Sequence, residues 1–158
     1  MNNFGDIVVA YDGSKGAKRA LEFAAAEAAK HQARLRIVTV WNGKAPAVAA
    51  LSADAVASAA VDRPRLAAQR LEEAAAFVHE AEPDVDVKTV AVEGNAAAEL
   101  VRTTENSRML VVGSRGHGTV HGLLLGSVSH YCALHARCPV LVVPPLVDAR
   151  PPVHHAGC

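Results

Sequence analysis

Five short apolar runs punctuate the chain and alternate with stretches of helical spacing. The runs are Ile7-Val-Val-Ala-Tyr11, Leu35-Arg-Ile-Val-Thr-Val40, Val85-Asp-Val-Lys-Thr-Val-Ala-Val92, Met109-Leu-Val-Val112 and Val140-Leu-Val-Val143. The first is too continuous for a half-exposed strand and reads as one covered on both faces. Between the runs, Leu21, Ala24, Ala25 and Ala28 share one helical face, as do Ala67, Leu71, Ala74, Ala75 and Val78. Ala97, Leu100, Val101 and Thr104 mark a third helix, and Val128 to His135 a fourth. The order βαβαβαβαβ predicts an α/β fold, an open five-stranded parallel sheet with helices on both faces (Rossmann-like). Ligands of such sheets sit beyond the carboxyl ends of the strands, where the strand order reverses. Asp12 and Gly113, ending the first and fourth strands, would border that crevice.

Local signals set the boundaries. Ser14 can cap the first helix, and Pro64 suits the first turn of the second. Pro83 lies just beyond that helix, Gly94 breaks the third strand, and Pro144-Pro145 stop the last. Residues 42–62 are rich in Ala, Ser and Pro and read as a long, partly helical connection. The 158 residues suit one domain with a real core. We expect it to span residues 1–146, with 147–158 as a flexible tail.

Several function classes are disfavoured. Lys+Arg and Asp+Glu are both 16 and aromatics only 4%, with no long basic run, so no nucleic-acid surface is expected. No apolar stretch reaches the roughly 20 residues of a membrane helix. Met1 to Asp6 has neither a basic nor an apolar region, so no signal peptide is expected. Cys132, Cys138 and Cys158 are odd in number and lack CxxC spacing, which favours a cytoplasmic setting. P-loop, nucleophile-elbow and zinc-finger patterns are absent. His130 and His135 fall on the fourth helix, where one can cover the sheet. His154-His155 with Cys158 reads as exposed tail rather than metal site.

The stretch Gly113-Ser-Arg-Gly116-His-Gly-Thr-Val-His-Gly-Leu-Leu-Leu-Gly126-Ser127 runs from a strand end to a helix start. Glycines let backbone N–H groups approach an anion, and the helix dipole adds to the attraction. Read alone, glycine enrichment fits a flexible connection equally well; the strand–loop–helix context favours a phosphate site. Glycines 116, 118 and 122 give GxGxxxG after the fourth strand, which argues against a dinucleotide fingerprint. Arg115 and His117 lie in the variable part of the loop; they could reach the phosphates, but read more readily as solvated loop residues.

The spacing Gly113-x2-Gly116-x9-Gly126-Ser127 resembles the G-x2-G-x9-G-[ST] ATP motif of the universal stress protein family. Val8-Val-Ala-Tyr-Asp-Gly-Ser14, Val92-Glu-Gly94, Gly122-Leu-Leu-Leu-Gly-Ser-Val-Ser129 and Cys138-Pro-Val-Leu-Val-Val143 are similar to other family segments. The resemblance covers nearly the whole domain. It implies strand order 3-2-1-4-5, an ATP site, a homodimer and a role in stress or dormancy physiology. By the same resemblance, Gly113, Gly116 and Gly126 would bring backbone N–H groups to the phosphates and ribose. Ser127 would donate its hydroxyl to a phosphate, with Ser129 assisting. Asp12 would accept from the ribose, although it also suits a plain turn before Gly13. Val40 would meet the adenine or be a plain core valine. Val112 and Val128 would be apolar neighbours of the nucleotide. Ala10, also at this site, stands where some family members have proline.

Three functions follow from these readings. The first is an ATP-binding stress sensor or switch. The second is a slow ATP hydrolase using Mg²⁺. The third is a nucleotide-independent dimeric module acting through an unknown protein partner, which the intact glycine motif disfavours. Asp12 is the one acidic residue placed near the phosphates, thin equipment for fast hydrolysis. Val140 to Val143 would form an uncharged apolar edge, a liability unless paired, so a homodimer through that strand is expected. The stress, and whether a cyclic nucleotide competes with ATP, stay open.

Overall fold

The computed structural model describes residues 5–43, 62–116 and 125–145. The strands are β1 (Ile7–Ala10), β2 (Leu35–Trp41), β3 (Val87–Glu93), β4 (Met109–Gly113) and β5 (Val140–Val143). The helices are α1 (Lys15–His31), α2 (Arg63–Ala81), α3 (Ala96–Thr103) and α4 (Ser127–His135). The sheet is parallel throughout, in the order β3-β2-β1-β4-β5. Most of the expected 42–62 connection, the tail 147–158, and His117, His154, His155 and Cys158 lie outside the described residues.

β1 is the centre of the molecule because both of its faces are covered. Ile7, Val8 and Val9 are fully buried. Ile7 and Val9 join one apolar cluster with α1 and α2, and Val8 joins the other with Leu100 of α3 and Cys132 of α4. The α1 side is built on Ala17, Ala20, Ala24, Ala25 and Ala28. Alanines there leave no bulk between helix and sheet, so α1 lies close against β1 and β4. Cys132 and Ser129 are the inward residues of α4, whereas His130 and His135 are exposed. The expectation that one of these histidines covers the sheet is therefore corrected. The small inward side chains let α4 approach the sheet, and the histidine rings stay in water.

Three of the four described helices start on a side-chain cap. Ser14 Oγ accepts from Ala17 N at 3.2 Å, Asp62 Oδ1 from Arg65 N at 3.1 Å, and Asn95 Oδ1 from Ala98 N at 3.1 Å. Each satisfies an N–H that the helix itself cannot. At the opposite end of the sheet, Arg36 on β2 donates to Asp6 Oδ2 at 2.6 and 3.0 Å and to the Thr103 carbonyl at 3.1 Å. That fork ties the start of β1 and the end of α3 to β2.

Candidate functional site

β1 and β4 are neighbours in the sheet, but α1 leaves β1 toward one face while α4 follows β4 on the other. Their carboxyl ends therefore border a crevice, which has a volume of about 290 Å³. All ten residues singled out from the sequence line it: Ala10, Asp12, Val40, Val112, Gly113, Gly116, Gly126, Ser127, Val128 and Ser129. Tyr11, Ser14, Ala17, Val38, Ala96, Leu100 and Arg115 complete the lining among the described residues. Ala96 and Leu100 come from the start of α3, which the chain order alone does not bring to this place.

The crevice has an apolar end and a polar end. Val38, Val40, Leu100, Val112 and Val128 form apolar walls suited to a flat ring. The polar end is the start of α4. Its N-cap is Gly126, with no side-chain cap bond, unlike the caps of α1, α2 and α3. Uncapped N–H groups at the positive end of a helix dipole favour an anion.

The described ends of the loop are tied down by backbone and side-chain hydrogen bonds. Gly126 N donates to the Ser114 carbonyl at 2.6 Å, and Ser114 N to the Val143 carbonyl at 2.9 Å. Ser129 Oγ donates to the Gly113 carbonyl at 2.6 Å. The Ser129 hydroxyl thus braces the end of β4. On the α1 side, a Cβ on Gly16 would lie 2.6 Å from the Arg115 carbonyl oxygen, so only glycine permits that seat.

Asp12 serves the turn. Its Oδ1 accepts from Ser14 N at 2.9 Å, which orients the entry to α1. Its Oδ2 would lie 2.7 Å from a Cβ on Gly116, so the bare Cα of Gly116 is what lets the carboxylate pack against the loop. Tyr11 accepts the Thr39 hydroxyl on its carbonyl at 2.7 Å, pinning β1 to β2 just below the crevice. Burial pushes the Tyr11 phenol above its ordinary range, with Glu73 and Asp12 adding and Arg70 opposing.

Arg115 departs from expectation. It is half-buried rather than solvated, and it lines the crevice. Its Nε is enclosed with no hydrogen-bond partner among the described residues. Its backbone is set between Gly16 of α1 and Gly126 at the start of α4, an approach decided by the fold rather than by local sequence.

Among the described residues no cluster of three or more His, Cys, Asp or Glu could hold a metal ion. No described helix is long and apolar enough to cross a membrane. The arrangement can hold a molecule with a flat apolar part in the valine slot and an anionic part at the start of α4.

Comparison with known proteins places the chain in a family and agrees with its fold. The family model described as "Universal stress protein family" matches residues 3–144. Universal stress protein Rv2623 of Mycobacterium tuberculosis is 32% identical over 139 residues, covering 86% of this chain and 44% of the relative. The chain thus spans less than half the length of that relative. A structure of UspA from Lactobacillus plantarum has a TM-score of 0.74 at 25% identity, covering 90% of this chain and 99% of that one. A universal stress protein crystallised in complex with cAMP has a TM-score of 0.66 at 29% identity, covering 89% and 97%.

Proposed function

The chain belongs to the universal stress protein family, and from that premise we propose that it binds ATP and acts as a nucleotide-dependent sensor or switch in a stress response. One observation carries the reading. A single crevice gathers Asp12 and Val40 with the glycine loop and the uncapped start of α4. A relative of similar fold holds cAMP, a nucleotide of the same adenine class.

In this reading the adenine lies between Val40 and the valines of β4 and α4. Asp12 accepts from a ribose hydroxyl. The phosphates meet the backbone N–H groups at Gly116 and at the start of α4, with the Ser127 hydroxyl. A Cβ on Gly126 would press on the Ser114 carbonyl at 3.2 Å, so a larger residue there would shift the start of α4 from its present seat. Binding changes the surface offered to a protein partner. The same proposal includes a cytoplasmic setting, supported by the free thiols of Cys132 and Cys138. It also includes a homodimer through β5.

Mass spectrometry of nucleotide carried through native purification, followed by titration calorimetry with ATP and GTP, tests the reading. ATP is expected to bind in preference to GTP, and Gly126→Ala and Asp12→Asn to weaken it. Equal ATP affinity in both variants and the parent would overturn the assigned site.

A further inference from the structure

Asp12 and Arg115 are the only charged residues lining the crevice among the described residues. Asp12 Oδ1 is engaged by the backbone of Ser14. Arg115 Nε is buried and makes no hydrogen bond among the described residues. A guanidinium is a planar set of five donors that keeps its charge at any physiological pH. Enclosing one of its N–H groups without an acceptor is costly. Such a cost persists in a fold when something else satisfies the group.

The backbone that carries Arg115 has little freedom to swing away. Its carbonyl is seated against Gly16 in the first turn of α1, and its Cα would lie 3.6 Å from a Cβ on Gly126. Ser114, one residue earlier, is tied to Gly126 and Val143. The side chain is therefore presented from a fixed point between the first turns of two helices, one of them uncapped.

We propose that Arg115 reads the charge of the bound nucleotide, pairing with an extended phosphate chain and so favouring ATP over a cyclic monophosphate or a nucleoside. The proposal rests on the nucleotide-site reading above and deepens it. A guanidinium meets phosphate oxygens through two parallel N–H bonds and gains more from the several charges of a polyphosphate than from one. A cyclic monophosphate carries a single charge and a closed ring. The backbone donors of the loop can hold either ligand, so the choice between them falls to the one cation in the described lining.

The test is calorimetry on the full chain with ATP, AMP, cAMP and adenosine at low and moderate salt. The parent is expected to bind ATP most tightly and adenosine least, with the ATP affinity falling as salt rises. Arg115→Gln should weaken ATP about 10- to 100-fold, the range of a lost charged hydrogen bond. It should narrow the gap between ATP and cAMP, and Arg115→Lys should fall between. A parent that binds adenosine or cAMP as tightly as ATP overturns the proposal without any variant. So does an Arg115→Gln protein with an unchanged ratio of ATP to adenosine affinity. A parent that binds none of the four ligands sinks the nucleotide-site reading as well, which separates that failure from a failure of Arg115 alone. Arg115→Lys, which keeps charge and bulk, covers the case in which Arg115→Gln does not fold.

Discussion

Gly113 and Gly16 meet backbone to backbone. A Cβ on Gly113 would stand 2.8 Å from the Gly16 carbonyl carbon and 2.9 Å from its oxygen. The first glycine of the loop is thus required by the seat of α1 against β4, whatever the site binds. Gly113→Ala should then cost about 1–3 kcal/mol of stability, the usual penalty of overpacking against an immovable neighbour. Gly116→Ala should cost less, because its Cβ would meet the end of the Asp12 side chain. Urea unfolding of both variants checks the order. A larger loss for Gly116→Ala would contradict it.

The Arg36 fork joins three elements through half-buried groups. The Arg36 and Asp6 side chains are 22% and 20% exposed. Truncating Arg36 leaves the Asp6 carboxylate and the Thr103 carbonyl without those donors. Arg36→Met is therefore expected to cost about 1.5–3 kcal/mol, the range for hydrogen bonds to charged groups. A double-mutant cycle with Asp6→Asn measures the coupling. A value below about 0.5 kcal/mol would reduce the fork to an ordinary surface pair.

Burial pushes the Cys132 thiol up to about 11 from an ordinary 9.0, and nearby Cys138 adds to the shift. The folded pKa is raised, so between those values the unfolded chain has released a proton that the fold still holds. Stability is then fully present below pH 9 and falls as pH rises toward 11. The full effect of this thiol is up to about 2.7 kcal/mol. Cys132→Val removes its contribution, so thermal unfolding from pH 8 to 10.5 should show a shallower decline in the variant. Parallel curves would refute the assignment. Cys138 and Tyr11 are raised in the same direction, so some decline stays in both proteins.

Turnover of ATP is expected to be absent or slow. Phosphoryl transfer needs an oriented nucleophile and neutralisation of the developing charge. Asp12 is the one carboxylate in the described lining, and its Oδ1 is already engaged by the turn. Donors that hold the ground state and the transition state equally leave the barrier where it was. Phosphate release with Mg²⁺ under single-turnover conditions measures this. A rate above about one per second, abolished in Asp12→Asn, would favour a hydrolase.

β5 is an edge strand on which Val140, Leu141 and Val142 are only partly buried, and Tyr131 and Leu134 are exposed on α4. Antiparallel pairing of two copies about a two-fold axis would cover that edge. Leu141→Lys should then give monomer or aggregate in sedimentation at micromolar concentration. A parent that already sediments as a monomer excludes the pairing.

Features that depend on residues a few positions apart are legible in the chain itself. Apolar period and punctuation mark the five strands and four helices described above, and Ser14 and Pro64 fall at helix starts where local chemistry puts them. The spacing of Gly113, Gly116, Gly126 and Ser127, read through its family resemblance, locates one wall of the crevice. The apolar pattern extends the third strand back to Val85, but Val85 turns into the core before the ladder begins at Val87. Which neighbours those walls acquire is a matter of tertiary packing. Ala96 and Leu100 reach the crevice because the chain crosses from β3 to the far side of the sheet. Arg115 is half-buried rather than solvated, and its backbone is set between Gly16, in the first turn of α1, and Gly126, at the start of α4. Periodicity reports which face of an element is apolar. It carries no information about which distant backbone will press against that face, and burial of a charge is set by that approach.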